Sequence, residues 1–231
     1  MQYIKKQNQE PEEWGDWFLV PPGERTYDFG KDRDALTHLR AAKQFLLKEQ
    51  YHLCAYCQQK INLDNSSIEH VTPKEHNKEL STSYFNLVAV CNRNQVEDPL
   101  TGKLHCDKAR GSQLIPPLVF YSNSLSTSNR LNAFFEANAS GEIIAKRTMP
   151  IRIKNQIEAY IDTLNLNHSV LKAKRAKDTL NGLTLAYNSL APGSHQRASF
   201  WNVQYQRILN NPSHPFREFL LVYIGSKIKR S

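Results

Sequence analysis

The chain has 231 residues and a formal net charge of +8, and 40% of its residues are hydrophobic, enough to bury a sizeable core. No run approaches the roughly 20 apolar residues of a membrane-spanning helix, and the first residues form no apolar signal stretch. These features argue against membrane and secreted proteins, and we expect a soluble cytoplasmic protein of one large domain or a smaller core with an appendage.

The charge is unevenly distributed along the chain. Residues 146–231 contain 14 Lys and Arg against 4 Asp and Glu, which leaves a net charge of −2 for residues 1–145. Lysine and arginine supply affinity for nucleic acids by neutralising phosphates. The asymmetry therefore indicates an anionic partner, most simply a nucleic acid, although a solvated basic helical face has the same composition.

The first half of the chain predicts an arm, a helix and two strands. Residues 1–32 show no helical or alternating period and predict an extended arm, whose apolar residues must pack on the protein itself or on a partner. Those apolar residues are Trp14, Trp17, Phe18, Leu19 and Val20. Apolar residues at nearly helical intervals predict a helix over 33–50. Residues 66–71, closed by Pro73, and residues 87–90 predict two strands.

The second half predicts mainly helices. After a loop-like stretch, a helix is predicted to start near Asp107, and a hairpin is predicted over 133–147 with its turn at 139–141. Beyond Pro150 the apolar period becomes helical. The further predicted helices cover residues 169–189, 196–209 and 215–228.

Four cysteines fall within one quarter of the chain: Cys54, Cys57, Cys91 and Cys106. Disulfides are rare in a reducing compartment, and a Cys-x-x-Cys turn presents two thiolates to one tetrahedral zinc ion. The clustering therefore favours structural Zn²⁺ over unrelated buried thiols or a disulfide pair. With four thiolates the zinc has no open position for water, so a reactive centre must lie elsewhere. His105 is an alternative fourth ligand.

Four residues are candidates for that reactive centre: Glu69, His70, Asn86 and Asp107. An imidazole with an ordinary pKa of about 6.5 can take a proton from water at neutral pH. A hard divalent cation, Mg²⁺ or Mn²⁺, needs oxygen ligands such as Glu69 and Asp107. Together these residues predict a one-metal phosphodiesterase site in which His70 activates the water.

Each candidate also has a simpler structural interpretation. Glu69 could serve merely to orient a neighbouring side chain, Asn86 could stabilise a turn, and Asp107 could cap a helix. Adjacent residues on a regular strand point to opposite faces, so Glu69 and His70 share a metal only if the strand is distorted. Arg110, close to Asp107, is a candidate phosphate contact.

The order of these motifs resembles the HNH endonucleases, which have a ββα-metal fold. The stretches that carry the resemblance are CAYCQQKI, IEHVTPK, YFNLVAVC and HCDKARGS. They are more specifically similar to the HNH nuclease family of Septu defence systems, PtuB, which also occurs as an effector in some retron systems. The stretches IDTLNLNHSVLKAKR and HPFREFLLVYI are similar to that family too, so the resemblance covers most of the chain beyond about residue 33.

The resemblance implies an α+β fold with a zinc-stapled ββα-metal core, flanking helices and a mainly helical C-terminal region. The corresponding parts are an N-terminal arm, a nuclease core, and a hairpin followed by basic helices: residues 1–32, 33–112 and 113–231. His70 takes the place of the general base, Asn86 orients the loop between the strands, and Asp107 faces the catalytic cation.

The sequence departs from the family pattern in two places. Glu69 stands where the family more often has Asp. The second cysteine pair, Cys91 and Cys106, is separated by fourteen residues instead of two. These departures leave open both the fourth zinc ligand and the metal ligand on the helix.

The function implied by the resemblance is metal-dependent hydrolysis of phosphodiester bonds in DNA or RNA, in antiphage defence. The implied partners are the Septu ATPase PtuA, for which residues 1–32 are a candidate docking element, and, in retron systems, a reverse transcriptase with its multicopy single-stranded DNA. An alternative is a catalytically inactive, zinc-stabilised nucleic-acid-binding module. A zinc hydrolase of small molecules is disfavoured because four thiolates close the zinc.

Overall fold

The computed structural model of the protein describes the following residues: 4–7, 10–11, 33–92, 95–115 and 134–228. Within these ranges the chain is α+β, with two small antiparallel hairpins and seven α-helices. None of these helices is both long and apolar enough to span a bilayer. The apolar residues of the predicted arm, Trp14 to Val20, lie outside the described ranges.

The first hairpin pairs β1, Ser66–His70, with β2, Leu87–Cys91. The register runs one to one, from Ser66 opposite Cys91 to His70 opposite Leu87. Strand β2 is buried at every position, as its uninterrupted apolar sequence predicts. Both predicted strands are confirmed to within one residue at each end.

Helix α1, Arg33–Glu49, packs against β2 and confirms the predicted first helix. Leu46 and Leu47 are buried on its inner side. Just beyond it, the buried side chain of Gln50 accepts from the N–H of Ala89 at 2.7 Å and donates to its carbonyl at 2.8 Å. The outer edge of β2 is thereby hydrogen-bonded at Ala89 by a side chain, since the described residues add no third strand to this sheet.

The remaining elements follow in two groups. Two short 3-10 helices, Glu79–Thr82 and Tyr84–Asn86, lie between β1 and β2, and helix α2 covers Asp107–Arg110. The second hairpin pairs β3, Phe135–Ala137, with β4, Ile143–Ala145, which confirms the predicted hairpin. The later helices are α3, Ile151–Thr163; α4, Ser169–Lys174; α5, Asn181–Asn188; α6, His195–Leu209; and α7, Arg217–Ile228.

The helix predicted over 169–189 has a different internal geometry from the one expected. A π-helical segment, Arg175–Leu180, separates α4 from α5 without a break in the helical run. Inside it the hydroxyl of Thr179 donates to the backbone carbonyl of Arg175. A side-chain hydroxyl that bonds to a carbonyl in the preceding turn competes with the backbone ladder, and the apolar period does not report this competition.

One cluster of buried side chains joins both hairpins and the helices, from Ile4 near the start to Ile224 in α7. Backbone hydrogen bonds link the predicted nuclease core to the helical region. The N–H of Cys106 donates to the carbonyl of Leu164 at 2.8 Å, and the N–H of Phe216 donates to that of Gln58 at 3.1 Å. The two regions therefore share one core.

The described part of the N-terminal arm packs on the protein's own body. Ile4 is 1% exposed. The ammonium of Lys6 forms a buried ion pair with Glu49 at 2.8 Å and donates to the carbonyl of Leu87 at 2.7 Å. Burial lowers the pKa of Lys6, while Glu49 acts in the opposite direction. These first residues belong to the core, so only the later part of the arm remains a candidate for docking.

Candidate functional site

The four cysteine sulfurs form one buried cluster and all lie within 4.8 Å of one another. The sulfurs of Cys54 and Cys106 are 3.9 Å apart, and those of Cys57 and Cys91 are 3.7 Å apart. Tetrahedral zinc with Zn–S bonds of about 2.3 Å separates its sulfurs by about 3.8 Å. All four cysteines are free of disulfides. The predicted clustering is confirmed, and it is consistent with structural Zn²⁺.

Three separate elements deliver these sulfurs. Cys54 and Cys57 lie in the turn after α1, Cys91 ends β2, and Cys106 occupies the N-cap position of α2. Cys106 has a φ of 58°, which is uncommon for a residue with a side chain. A residue with a side chain adopts this positive φ only where its surroundings impose it, and convergence of four sulfurs on one zinc ion would impose it on Cys106.

Amide groups donate hydrogen bonds to the cysteine sulfurs. The side-chain amide of Gln59 lies 3.7 Å from the sulfur of Cys57, and that of Gln95 lies 3.7 Å from the sulfur of Cys91. The backbone N–H of Cys91 donates to the sulfur of Cys54 at 3.4 Å. Donors around a sulfur favour the thiolate form that a zinc ligand requires. The surroundings thus fit a metal-bound thiolate cluster.

His105 lies beside the cluster and does not replace Cys106 in it. Its Nδ1 is 3.3 Å from the sulfur of Cys106 and 3.8 Å from that of Cys91. Its ring packs edge-on against His168 with the centroids 5.2 Å apart. Burial lowers the pKa of His105 to about 4, so the ring is neutral. Because all four sulfurs converge, His105 is a neighbour of the ligands in this structure.

Arg175, one of the basic residues of the helix predicted over 169–189, is a buried cation close to the cysteine cluster. Its guanidinium donates to the carbonyl of Leu171 at 3.1 Å and lies over the ring of Phe219 at 5.5 Å. Burial lowers its pKa to about 10, and the nearby charges of Cys57 and Cys106 act in the opposite direction. A zinc ion with four thiolates carries a net charge of −2, which this cation partly balances. No local sequence signal separates Arg175 from its exposed neighbours.

Glu69 is buried and shares its surroundings with Asp107. Its carboxylate pairs with Arg110 and accepts from the hydroxyl of Tyr56 at 3.2 Å. Its pKa is raised to about 8, first by burial and then by the neighbouring carboxylate of Asp107. Arg110 lowers the pKa of Glu69, but one guanidinium does not offset burial together with a second carboxylate. The structure thus brings two of the predicted site residues together.

A pair of crowded carboxylates has the chemistry that a hard divalent cation requires. Mg²⁺ is commonly held by one or two carboxylates, with waters and substrate phosphates as the other ligands. Among the described residues, the cysteine cluster is the only group of three or more His, Cys, Asp or Glu side chains close enough to hold one ion. His70 therefore does not complete a three-ligand site with Glu69 and Asp107, and Arg110 competes for Glu69.

His70 is half-buried at the end of β1 and has different neighbours from Glu69. Its Nε2 lies 2.8 Å from the carbonyl oxygen of Ser81. A carbonyl only accepts, so Nε2 carries the proton and the lone pair of the neutral ring is on Nδ1. Burial is the main cause that lowers the pKa of His70. Because β1 is regular, the alternation that separates adjacent side chains applies here.

Asn86 holds the segment that follows β1. Its Oδ1 accepts from the N–H of Thr72 at 2.7 Å, and its Nδ2 donates to the carbonyls of Thr72 and Leu80, each at 3.0 Å. Leu80 precedes Ser81, whose carbonyl contacts the His70 ring. Asn86 therefore acts on the site by positioning this loop.

Arg110 does not have the phosphate contact that the sequence suggested, and Asp107 does not have the suggested capping role. Arg110 is 1% exposed and donates to the carbonyl of His70 at 2.9 Å and to that of Val71. It is therefore not available to a phosphate, and it fixes the end of β1 instead. Asp107 does not cap α2, since Cys106 is at the N-cap position and no side-chain capping bond is present there. Burial of Arg110 depends on partners far away in sequence, so local pattern does not report it.

No protein-family model matches this sequence, and no curated protein matches it significantly. The similarity to HNH endonucleases consequently rests on the sequence motifs given above. The geometry of the two clusters, one of sulfurs and one of carboxylates, is the independent basis for a functional proposal.

Proposed function

We propose that the protein is a metal-dependent HNH endonuclease that hydrolyses phosphodiester bonds of DNA or RNA. The observation that carries the proposal is the unit of β1, β2 and α2. It holds His70 by a carbonyl and brings the carboxylates of Glu69 and Asp107 together. The regular β1 points Glu69 and His70 to opposite faces, so the proposal requires β1 to distort when the cation and the substrate bind. The cysteine cluster lies beside this unit, since β2 and α2 each supply one of its four sulfurs. This arrangement supports the assignment of a ββα-metal core, which the sequence motifs imply.

The residues of the chain have distinct roles in this proposal. His70 accepts a proton from the attacking water at Nδ1, because its Nε2 proton is engaged with Ser81. Glu69 and Asp107 would hold Mg²⁺ or Mn²⁺, which supplies neutralisation of the charge that develops on the phosphate. Asn86 positions the loop that carries the Ser81 carbonyl. The four thiolates hold structural Zn²⁺ and leave it closed to water.

The helical region is the proposed nucleic-acid-binding surface. Its exposed basic side chains include Arg147, Arg152, Lys174, Lys177 and Arg207. Lysine and arginine at such positions contact phosphates without reading sequence. Affinity for nucleic acid should therefore fall steeply as salt is added.

The proposed cellular role is that of an antiphage effector in the cytoplasm, together with a PtuA-type ATPase. In a retron system the partners would include a reverse transcriptase and its multicopy single-stranded DNA. Residues 12–32 are the proposed docking element for the ATPase, because residues 4–7 are already part of the core. Deletion of residues 12–32 should separate the protein from the ATPase in a co-purification experiment, and an intact complex would refute this assignment.

Cleavage assays with a single variant test the proposed activity. The purified protein, alone and with its ATPase, is incubated with DNA and RNA substrates in Mg²⁺ or Mn²⁺. His70→Ala should reduce the cleavage rate by about 100-fold or more while binding persists, since a general base contributes roughly that factor. The control is His195→Ala, an exposed histidine at the start of α6, which should cleave at the original rate. Equal rates for the two variants would refute the role of His70.

A second candidate function is a catalytically inactive, zinc-stabilised nucleic-acid-binding module. The pairing of Glu69 with Arg110 favours it, because a carboxylate held by a guanidinium is less available to a cation. Nucleic-acid binding without cleavage in either metal, even with the ATPase present, would support this function over the nuclease.

A further inference from the structure

A second concave site lies in the helical region. A cavity of about 390 Å³ is lined by residues of the π-helical segment, α5, α6, the α6–α7 connection and α7. This volume falls within the range of pockets that bind small molecules. None of the lining residues belongs to the cysteine cluster or to the proposed catalytic residues, and one of them, Arg207, also belongs to the proposed nucleic-acid-binding surface.

One side of the cavity is apolar. Ile208 and Leu220 are buried there, and Leu183 and Phe200 are half-buried. The Phe200 ring is held edge-on by Trp201, with ring centroids 5.1 Å apart and planes at 85°. An aromatic ring held in one orientation offers a face on which a planar ligand stacks.

On α6, two polar side chains, Gln204 and Arg207, follow Phe200 on the side of the helix that faces the cavity. Phe200, Gln204 and Arg207 recur at i, i+4 and i+7, which places them along one face of α6, and Asn211 lines the cavity just beyond the end of this helix. Within the described ranges, the side chains of Gln204 and Arg207 make no hydrogen bond or ion pair. An amide both donates and accepts, as the edge of a nucleobase requires, and a guanidinium matches the geometry of a phosphate.

Another wall of the cavity, formed by the π-helical segment and α5, leaves free space beside its backbone. It contains part of the π-helical segment and Gly182 at the start of α5. A Cβ at Gly182 would meet no atom within 4 Å, so a side chain there would extend into open space without a clash. π-Helical turns are rare and are found frequently at functional sites. This wall contributes one carboxylate, Asp178, whose negative charge disfavours ligands with several phosphates.

We propose that this cavity binds a nucleotide, with its base against Phe200, the base edge at Gln204 and a single phosphate at Arg207. The inference rests on the proposed function, because the nucleotide is either an unpaired residue of the nucleic acid substrate or a free mononucleotide. One guanidinium and one carboxylate match one phosphate better than a triphosphate.

Calorimetric binding to the His70→Ala protein tests the inference without cleavage of the probe. The probes are AMP, GMP, CMP and UMP, and short single strands of DNA and RNA, with no divalent cation added. Arg207→Gln should weaken binding by about tenfold or more, the loss expected for a charge-assisted hydrogen bond. Arg40→Gln, an exposed arginine of α1 outside both the cavity and the proposed nucleic-acid-binding surface, should bind as before. Mononucleotide binding identifies a free ligand, and binding of strands alone identifies a nucleotide of the substrate.

A second variant fills the cavity from the other wall. Gly182→Leu should weaken binding at least as much as Arg207→Gln, while Gly182→Ala, which adds one carbon, retains most of the affinity. The inference is overturned if no probe binds, or if Arg207→Gln and Arg40→Gln bind equally. If the protein with His70 intact cleaves nucleic acid, but Arg207→Gln leaves the binding of the probes unchanged, the cavity proposal is refuted and the nuclease proposal stands. Mononucleotide binding by a protein that never cleaves would refute the nuclease alone.

Discussion

Arg110 connects three parts of the chain at the end of β1. Its guanidinium contacts the carboxylate of Glu69, the hydroxyl of Tyr56 at 3.0 Å, and the carbonyls of His70 and Val71. A buried charge that loses its partner is costly because water does not replace the lost contacts. The orientation of the His70 backbone therefore depends on a residue that does not take part in the proposed chemistry.

We predict that Arg110→Met lowers the free energy of unfolding by about 3 to 5 kcal/mol, the range for breaking a buried ion pair. Denaturation in urea measures the change. Lys108→Met, an exposed position in the same short helix, should change stability by no more than about 0.5 kcal/mol. Equal stability of the two single variants would contradict the burial of Arg110.

The raised pKa of Glu69 predicts a pH dependence of stability. A carboxyl with a pKa of about 8 in the folded protein binds its proton more tightly there than in the unfolded chain. Its contribution to stability is complete below the unfolded pKa, and it is lost as the pH rises through about 8. Without added Mg²⁺ or Mn²⁺, the free energy of unfolding should decrease between about pH 5 and pH 8 and level off above that. Glu69→Gln should decrease less over the same range, and an identical decrease would contradict the prediction.

At the scale of elements, the turn of the second hairpin depends on Gly141. Its φ is 82°, and a Cβ at this position would lie 2.1 Å from the backbone carbonyl oxygen of Lys172 in α4. Only glycine permits both this conformation and such a close approach. The β3–β4 turn is therefore packed directly against the first turn of the long helical run.

We predict that Gly141→Ala lowers the free energy of unfolding by roughly 2 to 5 kcal/mol, the sum of overpacking and left-handed strain. Gly102→Ala is the matched control, because Gly102 has a φ of 65° but no atom within 4 Å of a built Cβ. It should cost only the strain, about 1 to 2 kcal/mol. Urea denaturation compares the two variants. An equal loss would mean that the turn does not contact α4.

The elements that local pattern predicts correctly are those with one dominant periodicity. Strand β2 is uninterruptedly apolar, and α1 has an apolar stripe, so both were predicted to within one residue at each end. The cysteine cluster was predictable because few arrangements besides a metal account for four clustered cysteines. Burial of Arg110 and Arg175, and the pairing of Glu69 with Arg110, depend on partners distant in sequence. Local period and residue type do not encode those contacts.

At the scale of the whole molecule, the cysteine cluster lies where the two regions of the chain meet. The backbone N–H of Cys106 donates to the carbonyl of Leu164, and Arg175 of the helical region lies close enough to interact electrostatically with Cys57 and Cys106. The predicted zinc ion would therefore stabilise more than the first hairpin. Binding of an ion to the folded state alone stabilises the whole cooperative unit.

We predict one equivalent of zinc per chain and a single loss of structure when it is removed. Elemental analysis measures the zinc, and circular dichroism during heating should record one transition at a lower temperature after chelation. Zinc should restore the original transition, and magnesium should not. Cys106→Ser should behave like the chelated protein, whereas His105→Gln should retain zinc. Helices that melt at an unchanged temperature after chelation would contradict the shared core.

The placement of the four ligands along the chain also orders the events of biosynthesis. As the ribosome extends the chain, Cys54 and Cys57 emerge first, and the quartet is complete once Cys106 has followed. Leu164, whose carbonyl accepts from the N–H of Cys106, and Arg175, which lies near the cluster, are synthesised later. A nascent chain can therefore capture its ion while the sulfurs still face solvent, and the finished protein needs no partial unfolding to become loaded.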